Sequence, residues 1–172
     1  MPIVDIILME LEEEAKRTQR VLERIPEDKL RWKPHPKSFS LGQLAMHIAG
    51  QGSLAQIAIK EVHEIPVQTL QAPPEPKNRK EILDTFAQGT ASAKEILAKL
   101  DDATLASTWT GQVNGKTILS LPRAGFIRMV MLNHIYHHRG QLSVYLRLLD
   151  VAVPSIYGPS ADENPFAATA AA

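Results

Sequence analysis

Four stretches of this chain repeat their apolar residues every three to four positions, the period of an α-helix rather than a strand. Residues 3–24 place Ile7, Leu11, Ala15, Thr18 and Leu22 on one face, and Pro26 stops the run. Residues 41–65 open with Ser40 and Gln43 at capping-box spacing and with Phe39 and Leu44 where a hydrophobic staple needs them. The apolar face there is Leu44, His47, Ile48, Ala55, Ile59 and Val62, and Pro66 ends it. Residues 79–100 follow Asn78, with Glu81 in the first turn. They line up Ile82, Phe86, Ala93, Leu97 and Leu100, with Gly89 weakening the middle. Residues 122–149 begin near Ser120, and Pro122 is tolerated in a first helical turn.

The linkers decide how these helices are arranged. Residues 66–77 are proline-rich, and 12 residues at polyproline rise reach roughly 37 Å. A 25-residue second helix is about as long. The linker can therefore return the chain to the far end and lay the third helix parallel to the second. Residues 101–121 contain Asn114-Gly115, a strong two-residue turn signal, so a small hairpin is expected between the third and fourth helices. The expected fold is all-α: a four-helix bundle with one long crossover, running up-down-down-up. One domain over residues 1–160 is expected, with residues 161–172, which end in alanines, as a disordered tail.

Composition narrows the function classes. Lys plus Arg and Asp plus Glu are 19 each, so the chain has no basic excess of the kind that marks nucleic-acid binding. It has no cysteine, which excludes disulfides, thiolate metal sites and a cysteine nucleophile. A metal site must then use His, carboxylate or water. No signal-peptide pattern or membrane-length apolar run is present, so a cytoplasmic protein is expected.

The chemistry-bearing residues are histidines. In the fourth helical stretch Ile127, Val130, His134, His138, Gln141, Tyr145 and Leu148 form one continuous face. Two imidazoles there replace hydrocarbons, and an unpaired buried polar group costs about 1–3 kcal/mol. His47 lies on or beside the buried face of the second helix. Three imidazoles from two helices, with a corner left for water or substrate, make an open metal site. Spacing alone does not choose between His137 and His138 as the partner of His134. Ile135 stands where a zinc-protease motif needs Glu, so that chemistry is excluded. His35, in a proline-flanked loop, and His63, near a helix end, are expected to be solvated.

Residues 132–142, Leu-Asn-His-Ile-Tyr-His-His-Arg-Gly-Gln-Leu, resemble the C-terminal signature of the DinB/YfiT-like family, a helix with H-x-x-x-H-R-G-Q-L. Trp32-Lys33-Pro34, the run from Ser38 to Leu44, and His47-Ile48 resemble its earlier elements. Pro154 and Tyr157-Gly158 resemble its closing residues. The resemblance implies a four-helix bundle, commonly a homodimer, that binds a divalent metal (zinc, nickel or iron) through His47, His134 and His138. It thereby favours His138 over His137. It also implies a small-molecule substrate and links the chain to enzymes that use low-molecular-weight thiols. Asp150 departs from the pattern, since a glycine often ends that helix.

Three functions follow. The first is a metal-dependent thiol S-transferase acting on a small electrophile. The second is a hydrolase using metal-bound water. The third is a non-catalytic, metal-stabilised dimeric bundle in stress response, with the apolar start of helix one as its dimer surface. No nucleic acid or membrane partner is expected. Arg139 is read as a structural ion pair in preference to an anion site, and Gln141 as a partner of a ligand ring or of a backbone group. Tyr145 is a seam residue or a ligand donor. Gly140, which costs roughly 1 kcal/mol in a helix, points to close helix approach.

Overall fold

The computed structural model describes residues 1–66 and 71–167. The helices are α1 (Ile3–Leu22), α2 (Leu41–Ala49), α3 (Leu54–Ala58), α4 (Arg79–Leu97), α5 (Asp102–Ala106), α6 (Arg123–Phe126) and α7 (Asn133–Leu148). The strands are β1 (Val62–Glu64), β2 (Thr108–Val113) and β3 (Lys116–Pro122).

Local chemistry sets the helix starts. Ser40 Oγ accepts the Gln43 N–H and Gln43 Oε1 accepts the Ser40 N–H, each at 3.0 Å, which completes the capping box of α2. The Ser40 hydroxyl donates to Glu75 at 2.9 Å, tying the end of the proline-rich linker to the same cap. Asn78 Oδ1 accepts the Glu81 N–H at 2.9 Å and caps α4. At the end of α7, Asp150 adopts φ 56°, a left-handed position that usually calls for glycine. The Asp150 N–H donates to the Arg147 carbonyl and the Val151 N–H to the Leu146 carbonyl. That is the Schellman pattern, built here on an aspartate.

Helix directions follow from the contacts. Gly42 faces Pro76 and Gly52 faces Gly89, so α4 runs the same way as α2. His47 meets His134 and Tyr145 meets the Phe39 carbonyl, so α7 runs opposite to α2. A Cβ built on Gly52 would lie 2.4 Å from the Gly89 carbonyl carbon. Gly89, which weakens α4 in isolation, is thus where α4 meets the turn after α2. Two apolar clusters fill the interior: one around Leu22, Leu44, Ile48, Ile82 and Leu146, the other around Leu11, Leu97, Trp109, Phe126 and Ile127.

The all-α four-helix expectation is corrected by a three-stranded mixed sheet. β2 and β3 form the hairpin around Asn114 and Gly115, whose φ values of 50° and 71° are those of the turn. β1 then pairs parallel with β2, Val62 opposite Thr110 and Glu64 opposite Gln112. The expected second helix is broken by a 3-10 turn at Gly50–Ser53 into α2 and α3, and it ends at Ala58, not near Ile65. Ile59 and Val62, expected on its apolar face, are exposed. The open edge of β2 supplies backbone partners that a continued helix would not use, and residues 62–65 pair with it. Part of the expected crossover, residues 67–70, and the final residues 168–172 lie outside the described residues.

The fourth helical stretch is also not continuous. Ile127 to Leu132 are π-helical between α6 and α7. A π-turn adds a residue and rotates everything after it. The buried stripe of α7 is consequently Ile135, Arg139, Leu142 and Leu146. The expected stripe is displaced: His134, His138 and Tyr145 are half-buried at its edge, and Gln141 and Leu148 are exposed. Gly140 is exposed too, and a Cβ there would meet nothing within 4 Å, so close helix approach is not its role within the chain.

Candidate metal centre

α2 carries His47 toward the start of α7, which carries His134 and His138 one turn apart. The three rings converge. His47 Nε2 lies 3.1 Å from His134 Nε2, and one ring nitrogen from each of the three falls within 4.8 Å of the others. Ligands held about 2.0–2.1 Å from a tetrahedral zinc stand roughly 3.3–3.4 Å apart. The donor set therefore fits a divalent ion with small side-chain adjustments. Among the described residues, no carboxylate joins this cluster.

The surroundings select the protonation states. Burial pushes the His47 imidazole down to about 4, helped by the neighbouring His138 and His134 rings. Burial also lowers His134 and His138. Neutral rings are what a metal requires, because a protonated imidazole has no free lone pair. The partners of two rings leave Nε2 free to bind. His134 bonds the Val130 carbonyl. His138 Nδ1–H donates to Gln141 Oε1 at 2.7 Å. Such outer bonds orient metal-binding histidines. Gln141 is thus a partner of a ligand ring, and its amide nitrogen donates to His137 Nε2 at 3.1 Å. His137 itself is exposed and stays outside the cluster.

A cavity of about 310 Å³ opens beside His47 and His134. Leu54, Ile57, Ile65, Trp109, Phe126 and Val130 form its apolar walls. Trp109 is held rigidly: its indole N–H donates to the Ile57 carbonyl at 3.1 Å, and its ring lies 4.0 Å from that of Phe126. Trp32, by contrast, packs edge-on against Tyr145. The Tyr145 hydroxyl reaches the Phe39 carbonyl at 3.4 Å, so Tyr145 is a seam residue.

Two residues at this cavity escaped the sequence reading. His63, expected to be solvated, is half-buried on β1 and lines the cavity. Val62, His63, Glu64 and Ile65 do not alternate in polarity, so the sequence carried little signal; the alternation is in burial, with His63 and Ile65 half-buried and Val62 and Glu64 exposed. Gln51 lies one turn after His47, a spacing that places both on one helical face. It is 5% exposed, and its amide nitrogen donates to the His47 carbonyl at 3.0 Å. His35, as expected, is exposed; its Nδ1 accepts the Lys37 N–H.

Comparison with known proteins places this arrangement. The DinB family profile matches residues 4–165. The chain belongs to the DinB family. Among relatives, YrdA of Bacillus subtilis is 29% identical over 167 residues, covering 93% of this chain and 91% of YrdA. YjoA of the same organism is 29% identical over 133 residues, covering 76% and 80% of the two chains. A crystal structure of a DinB-like protein from Bacillus cereus superposes with TM-score 0.69 at 25% identity, covering 88% of this chain and 95% of that one. The crystal structure of YjoA superposes with TM-score 0.67 at 20% identity, covering 92% and 99%, which bears on the fold alone.

The DinB signature residues divide between two tasks. His134 and His138 enter the cluster. Arg139, 1% exposed, turns the other way into the core. It pairs with Glu14 at 2.7 Å, donates to Thr18 Oγ1 at 3.1 Å and bonds the Tyr157 hydroxyl. Tyr157 in turn donates to Glu14 at 2.7 Å. The Arg of the helix motif and the closing Tyr therefore meet on one buried carboxylate of α1. Arg139 is not available to an anionic substrate.

Proposed function

We propose that His47, His134 and His138 hold a divalent metal ion and that the chain is a metal-dependent enzyme transferring a thiol sulfur to a small electrophile. One observation carries this reading: three neutral imidazoles converge beside an uncharged cavity, with no carboxylate among them. A bound divalent ion supplies Lewis acidity, favouring the ionised form of a thiol or water in its open position. The chain's own residues do the rest. Gln141 and the Val130 carbonyl hold two rings in the correct tautomer. Burial keeps all three rings neutral at physiological pH. The apolar walls give an apolar group of a substrate a surface to bury beside the open position.

In the transfer the thiol gives up its proton and its sulfur forms the new C–S bond. The leaving group of the electrophile departs with the electron pair of the bond that breaks. A hydrolase would want a carboxylate base beside the water, and the charges felt by the three rings come from one another and from His137. Among the described residues lining the cavity, His63 is an alternative base outside the cluster, and it supports the hydrolytic reading as second choice.

Elemental analysis and a thiol-consumption assay test the proposal. One ion per chain is expected in the wild type and in His137→Ala, and none in His138→Ala. Metal-loaded protein should consume a simple thiol in the presence of chlorodinitrobenzene, and His138→Ala should not. Absence of stoichiometric metal sinks the reading. Turnover of esters or amides in place of thiol consumption shifts it to hydrolysis.

A further inference from the structure

The cavity beside the three histidines has a composition that the metal reading does not use. Its volume of about 310 Å³ compares with the roughly 150 Å³ of an apolar cavity that takes up benzene. It is therefore large enough for a fused two-ring group. Among the described residues, no Asp, Glu, Lys or Arg lines it. In the metal-free protein an ionised ligand would lose its hydration there without gaining a counter-charge, which costs far more than a neutral polar group loses. The cationic residue of the helix signature, Arg139, is committed to Glu14 in the core.

One residue that lines this cavity has a polar atom left over behind the wall. Gln51 lines the wall next to His47, and its Oε1 is buried with no hydrogen-bond partner among the described residues. The other end of the amide is fixed by the His47 carbonyl, which assigns the nitrogen and leaves the oxygen as an acceptor. A buried acceptor without a donor costs about 1–3 kcal/mol. Oε1 is closed to solvent as the side chain stands, so a ligand that brings an N–H or O–H to that end of the cavity must turn the amide to reach it, and then recovers part of this cost. His47, His134 and Gln51 share this polar end, whereas Ile57, Ile65, Trp109 and Phe126 line the apolar part.

We infer that this cavity binds an uncharged, ring-sized apolar group whose single hydrogen-bond donor meets Gln51 Oε1. The inference rests on the enzyme reading only in making this group the carrier of the electrophile, because the ring would lie beside the proposed metal position. In the metal-free protein it disfavours acidic ligands such as carboxylates and phosphates; a bound divalent ion would offer them a counter-charge. The small sheet, through Ile65 and Trp109, belongs to the binding wall and is more than a connection between helices.

Binding of naphthol, naphthalene and naphthoate to metal-free and zinc-loaded protein, measured by calorimetry, tests this directly. To the metal-free wild type, naphthol should bind at least about tenfold more tightly than naphthoate, reflecting the penalty for burying an unpaired charge. Naphthol should also bind about three- to tenfold more tightly than naphthalene, the worth of one net hydrogen bond, and Gln51→Leu should remove that preference. Val130→Trp should fill the cavity and weaken naphthol at least about tenfold by overpacking. In amide spectra the indole N–H resonance of Trp109 should move on naphthol addition, while that of Trp32 stays in place.

Equal or tighter binding of naphthoate to the metal-free protein overturns the inference. So does a shifted Trp32 with an unmoved Trp109, or a naphthol preference that survives in Gln51→Leu. These readouts need no turnover and no folded Val130 variant. Naphthol binding without stoichiometric metal in any preparation would overturn the enzyme proposal and leave this inference standing. Stoichiometric metal without naphthol binding would do the reverse.

Discussion

The buried pair of Arg139 and Glu14 permits a sharp test of how α7 is locked to α1. Replacing Arg139 by Met keeps the volume and removes the charge. Glu14, with an 8% exposed side chain, then keeps only Arg17 at 3.2 Å and the Tyr157 hydroxyl at 2.7 Å. Breaking a buried pair from one side costs about 3–5 kcal/mol, because the remaining charge is left uncompensated. Arg17 still faces the carboxylate, so Arg139→Met belongs near the lower end, at about 3 kcal/mol. Glu14→Leu leaves the guanidinium with Thr18 and Tyr157 hydroxyls and a carbonyl, none of them charged, so it belongs nearer 4 kcal/mol.

The double variant should cost less than either single change, because no buried charge is orphaned. A coupling of at least about 2 kcal/mol is expected. Urea unfolding of the four proteins, followed by circular dichroism, measures the cycle. In a domain of this size each kcal/mol shifts the melting temperature by about 2–4 °C, so Arg139→Met should melt about 6–12 °C lower. Single losses below about 1 kcal/mol, or additive losses in the double variant, would refute the claim that desolvated charge dominates this contact.

Other outcomes follow from particular contacts. Gly52→Ala pushes a Cβ to 2.4 Å from the backbone of Gly89, so α4 must move, and a loss of about 2–3 kcal/mol in chemical unfolding is expected. Asp150→Gly relieves a left-handed non-glycine residue in the Schellman cap and should add about 0.5–1 kcal/mol in the same measurement; no gain would mean that the aspartate is held there by something else. Arg147 beside Asp162 and the Ser155 amide beside Glu163 hold these carboxyls below their ordinary 3.8 and 4.5. A depressed acid contributes above its unfolded value and loses that contribution as pH falls through its folded value. The Val153 and Ser155 amide resonances, whose N–H groups donate to these carboxylates, should therefore titrate with midpoints below those ordinary values. Midpoints at or above them would remove the tethers.

How much was legible depended on the range of the interactions. Ser40 with Gln43, Asn78 with Glu81, and the Asn114-Gly115 turn act within four residues, so their consequences are written next to them. The end of the second helix was not legible. Ile59 and Val62 fit a helical stripe, and Val62, His63, Glu64 and Ile65 lack the alternating polarity that would have marked a strand. The partner that decides, β2, lies far along the chain. The π-turn over residues 127–132 had no composition signal, and it moved the histidines from the middle of the buried stripe to its edge. For Gln141 and Arg139 the alternatives open in the sequence were decided by contacts, one with His138 and one with Glu14.

By itself the sequence determined which residue types were available for chemistry: imidazoles without thiols, on helices whose starts were set by side chains a few positions away. Tertiary structure alone decided that a strand from the end of the second helical stretch and Trp109 would wall a cavity beside His47 and His134, and that Gln51 would line it with an unmet acceptor buried behind its surface. The reason is physical. Caps and turns are local free-energy minima of short peptides, whereas a cavity wall exists only once distant segments have paired and excluded water between them.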